Sequence, residues 1–321
     1  MREIHGEKSS ENTGYRILVM VIVVVAGLSS AMKDLSGLGQ LTSNIREFRS
    51  ELFGDGLVTA SAKEISLGET SCKDQKDQES NNPTEFRWSG RMAPGQSIEI
   101  KGINGGITAE PTGGEAEVVA NKQARRSDPN AVRIEVVQHS GGVTICAIYP
   151  SDDSQELNTC QPGDNSSSKS NIRNNDVQVN FVVRVPTGVG FTGRTVNGEI
   201  TGKSLSGNVD SRTVNGSINI STSGYAQAKT VNGEISAKLG SANWRGSLEF
   251  KTVNGSVNLD LPSDLSTELK ADTFNGEVSS DFPLSVLGTS SRKHVSGTIG
   301  SGGRELIVKT LNGSINLRRV S

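Results

Sequence analysis

The sequence predicts an all-β chain: a β-solenoid-like stack of short strands with Asn-Gly corners, preceded by an N-terminal transmembrane or signal helix. Three observations predict it. A six-residue frame of the form Thr-Val-Asn-Gly recurs at steps of 16 to 22 residues. Period-two alternation of β-branched residues runs through the second three-quarters of the chain, with no sustained helical period. One uncharged apolar run stands near the amino terminus.

That run comes first in the chain. Residues Ile17 to Met32 carry no charge and are bounded by Arg16 and Lys33. Sixteen residues are marginal for a spanning helix unless the flanking cations reach the interface. A cleaved secretory signal is the competing reading, with Ser29-Ser30-Ala31 as small residues for a cleavage site. Both readings export the rest of the chain. Residues 1–16 then form a cytoplasmic segment, and 17–32 the anchor or signal. Leu38, Leu41, Ile45, Phe48 and Leu52 follow at helical spacing and predict one amphipathic helix. A charged stretch without apolar residues, Lys73 to Pro83, reads as a linker, so 33–84 is a juxtamembrane helix and linker. Cys72 lies alone in it, either free or in an intermolecular bridge.

From residue 85 the chain reads as strands and turns. Val132, Ile134 and Val136, then Val143, Ile145 and Ala147, alternate, as does Val177 to Val185 before Pro186. Ser151 to Asp176 is a polar insertion, read as an exposed loop. It contains Cys160, fourteen positions after Cys146. In an exported chain that spacing reads as a loop-closing disulfide, with two unpaired thiols as the alternative.

The repeat carries the architecture. Its corners are Asn197-Gly198, Asn215-Gly216, Asn232-Gly233, Asn254-Gly255, Asn275-Gly276 and Asn312-Gly313, within a repeat region from 195 to 315. Ile103-Asn104-Gly105-Gly106-Ile107 is an outlying copy, and Val295-Ser296-Gly297-Thr298-Ile299 a degenerate one. A period near 20 is half a propeller blade but suits one solenoid coil. A sandwich or an array of hairpins is the other reading, since Asn-Gly also favours hairpin turns. In a stack, Thr would lie on Thr and Asn on Asn about 4.8 Å apart. The residue after each Gly alternates Glu199, Ser217, Glu234, Ser256, Glu277, Ser314, which keeps like charges apart. The corner residues are read as structural, with Gly supplying a positive φ.

The run Gly142 to Pro150, the strand end Val183-Arg184-Val185-Pro186 and the serial Thr-Val-Asn-Gly frames resemble the bacterial DUF4097 family. Its members are labelled adhesins and described as β-strand repeat proteins. The resemblance covers residues 85–321. It implies a β-solenoid-like domain of the export compartment and brings no catalytic motif.

Composition narrows the function. Lys and Arg number 33 against 35 Asp and Glu, which disfavours a nucleic-acid binder. Three His and three Cys, none clustered, give no metal-ligand set, and no cofactor motif is found. The acids Asp210, Glu249, Asp260, Asp264, Glu268, Asp272 and Asp281 are scattered and make no catalytic pair. The basic cluster Lys122, Arg125 and Arg126 reads as a solvated loop. The expected function is non-enzymatic: a membrane-anchored cell-envelope β-repeat protein that binds or displays, as an adhesin does. Its partners would be the membrane, through the N-terminal helix, and a glycan or envelope protein. The alternative is an envelope scaffold or stress-sensing component that self-associates through its end. A carbohydrate-active β-helix enzyme is a distant third.

The anchor reading makes one checkable claim. Amino-terminal sequencing of the mature protein should find residues 17–32 retained; a mature chain beginning at Met32 would show a cleaved signal instead.

Overall fold

The computed structural model describes residues 84–151, 158–163, 175–286 and 291–320. The apolar run at 17–32, the helical seam at 38–52 and Cys72 lie outside the described residues. Among the described residues the only helical element is the 3-10 turn Pro129–Ala131, and everything else regular is strand.

Two sheets form, one of ten strands and one of eleven. Alternation decides which side chains enter the space between them. In Val257–Pro262 the residues Val257, Leu259 and Leu261 are fully buried, and in Ser247–Lys251 so are Leu248 and Phe250. The two inward faces make one core. A repeat contributes one strand to each sheet. Gly190–Arg194 lies in the eleven-stranded sheet and the chain turns at Asn197-Gly198. It returns as Ile200–Leu205 in the ten-stranded sheet and turns again at Ser206-Gly207 into Val209–Arg212. Each strand pairs in parallel with its counterpart one coil away. The second edge absorbs the variation in repeat length. The longest such connection, from Leu239 to Ser247, includes Gly246, around which there is open space. At six of the seven corners the residue two places after Gly stacks in one buried apolar row: Ile107, Ile200, Ile218, Ile235, Val257 and Ile315. Each is essentially inaccessible to solvent, a burial worth roughly 1.5–3 kcal/mol per side chain.

Stacking order departs from chain order at both ends. Following the corners, the order is Asn104, Asn197, Asn215, Asn232, Asn254, Asn312, Asn275. The last coil of the chain, Glu305–Asn312 with Ile315–Val320, is therefore inserted between two earlier ones. It pairs with Ser247–Lys251 and Val257–Pro262 on one side and with Thr267–Asn275 and Val278–Ser280 on the other. The amino-terminal end mirrors this. Ser97–Lys101 lies between Gly190–Arg194 and Gly142–Ile148, and Ile107–Thr112 lies between Ile200–Leu205 and Gln178–Pro186.

Three sequence expectations change. The degenerate copy at 295–299 is no corner. It belongs to the strand His294–Ile299, which runs antiparallel on Thr267–Asn275 with Gly297 opposite Leu269. The residue after Gly does not alternate in space, because Ser314 follows Ser256 and Glu277 comes last. No two Glu are adjacent all the same. Finally, the corners at 198, 216, 233 and 276 are not in the left-handed region, and glycine is required there for a different reason. A Cβ built on Gly233 would lie 2.0 Å from the carbonyl oxygen of Gly216, and one on Gly313 would lie 2.1 Å from that of Gly255. Inter-coil contact excludes a side chain at every corner, and at Gly105, Gly255 and Gly313 a positive φ of 125°, 159° and 155° excludes it as well.

Insertion of the last coil has a measurable consequence. Gly233→Val and Gly313→Val each force apart two coils that are held on both sides, so both should destabilise by ~1–3 kcal/mol or more, with the positive φ of Gly313 adding strain at that site. Gly276→Val, in the outermost coil of the stack, should cost less, because that coil can move outward. Thermal melts of the three variants check this; a mild effect at Gly313 alone would mean that its coil sits at the end.

Candidate functional site

The repeats place two ladders side by side, the corner and a row of charges. At the corner the side-chain amides bond head to tail. Asn197 Nδ2 donates to Asn104 Oδ1 at 2.8 Å. Asn215, Asn232, Asn254, Asn312 and Asn275 each donate in turn to the Oδ1 of the preceding coil at 2.7–2.8 Å. Every amide dipole thus points the same way along the stack, an arrangement in which successive bonds polarise one another. The Thr of each frame is buried beneath. Thr195, Thr213, Thr230, Thr252, Thr310 and Thr273 donate their hydroxyls to the Gly carbonyl of the neighbouring coil at 2.7–3.1 Å. Backbone bonds complete the lock: Gly198 N–H donates to Asn215 O, and Asn215 N–H to Val196 O. The six predicted corners lie in one line with the outlying Asn104-Gly105 as a seventh, and much of their hydrogen-bonding capacity is used within the stack.

The second ladder was missed in the sequence although its signal is there. The residue before Thr is Arg194, Arg212, Lys229, Lys251 and Lys309 in five of the six frames, and Asp272 in the other. Lys101 holds the same place near Asn104. The strand register brings Lys101 opposite Arg194, then Arg212, Lys229, Lys251 and Lys309 on successive strands of the eleven-stranded sheet. These side chains point away from the core, since their neighbours Ile100, Phe250 and Val308 are buried. A single-position reading of the charged residues as scattered could not see that they share one register.

Carboxylates two residues earlier sit between these cations. Glu99 Oε1 lies 3.6 Å from Lys101 Nζ and 3.3 Å from Arg194 Nε. Asp210 Oδ2 is 3.1 Å from Arg212 Nη2 and 4.0 Å from Arg194 Nη2. Glu249 is 2.6 Å from Lys229 Nζ and 3.2 Å from Lys251 Nζ. Burial pushes the Glu249 carboxyl up, but hydrogen bonds and charge from Lys229 and Lys251 together outweigh it and hold it below the ordinary carboxylate range. Its stabilising contribution is therefore full above the ordinary carboxylate value and lost only as pH falls through the lowered one. The cation side chains from Lys101 to Lys251 are 6–22% exposed and Lys309 is 50% exposed.

The Cys146–Cys160 disulfide is present, with the Cα atoms 5.6 Å apart, and it closes the amino-terminal end of this face. It ties the insertion to the sheet at buried Cys160, while Thr159, Gln161, Pro162 and Gly163 around it stay exposed, as the loop reading expects. There Lys101 Nζ donates to Gln161 O and Gly163 O at 2.6 and 2.7 Å, and Gly163 N–H donates to Glu99. Buried Tyr149 donates its hydroxyl to Val177 O and Asn104 O, tying the insertion's two ends to the first corner. Close by, the backbone N–H groups of Arg125, Arg126 and Ser127 grip the carboxylate of Asp176. The loop read as solvated thus holds an anion, supplied by the chain itself. His139 contacts Thr144, and His294 contacts Asp272. Among the described residues no three His, Cys, Asp or Glu side chains group as metal ligands, and no helix is long and apolar enough to cross a membrane.

The family model "Toastrack DUF4097" matches residues 133–318, more than half of the chain. Two solved structures are similar at 13% identity. One is described as a "putative cell adhesion protein" from Clostridium sporogenes, with a TM-score of 0.35 over 74% of this chain and 99% of that one. The other is a "putative adhesin" from Bacteroides fragilis, with a TM-score of 0.21 over 75% and 98%. No curated protein matches the sequence.

Tyr149 gives the site a pH signature. Burial pushes its hydroxyl up to about 12, against an ordinary value of 10.0. The unfolded chain ionises first, so this group's stabilisation is full below pH 10 and falls as pH rises toward about 12. Tyr149→Phe should flatten that alkaline loss while costing about 1 kcal/mol at neutral pH through lost hydrogen bonds. Denaturant melts between pH 8 and about 12 follow it; an unchanged alkaline slope in the variant would contradict the assignment.

Proposed function

The chain belongs to the Toastrack DUF4097 family, and from that premise we propose that it is a non-enzymatic binding and display module of the bacterial cell envelope, tethered through its N-terminal segment. The observation that carries this reading is the register of the repeats. Catalysis needs unlike groups converging on one reacting atom. Here like groups are repeated in line: Asn on Asn, Thr on Thr, cation on cation. Such a row multiplies a weak contact, which suits adhesion. The carboxylates in the row support the same reading. A glycosidase acid requires a raised pKa, whereas cations hold Glu249 low.

The ends of the stack favour display over self-assembly. Antiparallel strands close the amino-terminal end of each sheet: Glu85–Gly90 on one and Arg133–His139 on the other. The opposite ends finish in the short strands Val278–Ser280 and Leu284–Ser285. Short, charged or antiparallel edges are poor templates for adding a further coil.

Two measurements on producing cells test the proposal. External protease should release fragments of the β domain from intact cells, and deletion of the gene should lower adherence to matrix-coated surfaces. A domain protected from protease, with adherence unchanged on deletion, would contradict it.

A further inference from the structure

We infer that Asn275 is a site of spontaneous deamidation, selected by its place at the open end of the Asn-Gly ladder. The sequence holds seven Asn-Gly pairs, and nothing local ranks one above another. Glycine after asparagine favours the reaction, because a residue without a side chain lets its backbone nitrogen approach the asparagine Cγ closely.

The chemistry has two steps. The Gly276 amide nitrogen gives up its proton to a base and attacks Asn275 Cγ. A C–N bond forms, the Cγ–Nδ2 bond breaks, and ammonia leaves carrying a proton. Water then opens the cyclic imide at one of its two carbonyls, giving aspartate through one opening and isoaspartate through the other. In sum an amide and water become an acid and ammonia. No oxidant, cofactor or enzyme is needed.

Six corners are held out of this reaction. Gly105, Gly198, Gly216, Gly233, Gly255 and Gly313 each donate their N–H to the Asn carbonyl of the next coil, at 2.9–3.0 Å. The Asn Oδ1 of each of these corners also accepts from the next coil's Nδ2. The nitrogen that must attack is therefore occupied, and the side chain that must turn is tied at its oxygen. At the outermost corner neither bond is made: among the described residues Gly276 N–H donates to no group and Asn275 Oδ1 accepts from none. The Asn275 side chain keeps one bond, from Nδ2 to Asn312 Oδ1 at 2.8 Å.

What covers this coil leaves the corner open. Thr273 N–H donates to Lys293 O and Val278 N–H to Arg292 O, on either side of the corner and not at it. Phe274, inside the same frame, is 47% exposed. Exposure by itself does not single out Asn275, since Asn197, Asn215 and Asn232 are exposed too. Hydrogen bonding does. Stacking order carries the assignment, independently of the envelope reading: with the coils in chain order, the open corner would be Asn312-Gly313. The product carboxylate has no proton to offer Asn312 Oδ1 at neutral pH, so the last amide rung is lost and the end of the stack gains a negative charge.

Each hydrogen bond that must open first slows the reaction, by about fivefold for a bond of typical net strength. The test incubates the full folded chain below its melting temperature in mildly alkaline buffer made with heavy-oxygen water. A parallel sample is incubated in denaturant. Both are digested at acidic pH in ordinary water and mapped by mass spectrometry. In the folded chain Asn275 should convert at least about tenfold faster than any other Asn-Gly asparagine. The products should be both aspartate and isoaspartate, each carrying a heavy oxygen. In denaturant all seven should convert at comparable rates, because Gly follows each. Asn275→Gln, whose longer side chain cyclises slowly, should leave the folded chain without a rapidly converting corner. No conversion of Asn275 in the folded chain, equal conversion at all corners, or faster conversion at Asn312 would overturn the inference. So would a rate advantage for Asn275 that persists in denaturant, since sequence and not the stack would then select it.

Discussion

Adjacent coils meet at the Asn-Gly corner with no room for a side chain. The carbonyl of one corner glycine lies about 2 Å from where the next coil's Cβ would stand, and the rest of the structure depends on that contact. It brings the Thr hydroxyl within reach of the same carbonyl and sets the Asn amides at hydrogen-bond distance. A coil displaced by one residue would place a side chain in this gap, turn core positions outward and break all three sets of bonds. The corner is therefore the register device. Rows elsewhere on the molecule, including the isoleucine row and the cation row, inherit their alignment from it.

A stack built this way has exposed end coils, and this chain guards both. The first and last coils in sequence are not the outermost in space, because each is covered by a segment closer to the middle of the chain. The carboxy-terminal strand Ile315–Val320 is held on both sides, with an antiparallel strand beyond it on the facing sheet. The carboxy-terminal strand is thus held inside its sheet, whereas the first described strand, Glu85–Gly90, is an edge strand paired on one side. At the other end a disulfide and a buried tyrosine fix the insertion that interrupts the covering coil.

The all-β, coil-by-coil stacking of the described residues was legible because the repeat is local. Each Thr-Val-Asn-Gly frame and each alternating strand can be read within a dozen residues. The disulfide was legible from a short separation in a chain read as exported. Stacking order was not, because Asn275 and Asn312 carry the same frame and nothing local says which lies outermost. The degenerate copy misled for a related reason: Ser296-Gly297 resembles a corner, but its pairing with Leu269 is set by strands elsewhere. The cation row was half legible. The basic residue before Thr is visible in each frame, but its meaning appears only once the frames are superposed. Glu99 and Lys101, more than 90 residues from the first frame, join through tertiary pairing.

Amide hydrogen exchange at the corners measures the central claim most directly. The Gly313 N–H donates to Asn275 O and the Asn312 N–H to Val253 O, so coils on both sides hold this corner. The account predicts that these two amides, only a few residues from the end of the sequence, exchange as slowly as those of Gly233 and Asn232 in mid-stack. Exchange at 312 and 313 as fast as at a frayed terminus, with Gly233 still protected, would show that the last coil is not inserted and would contradict it.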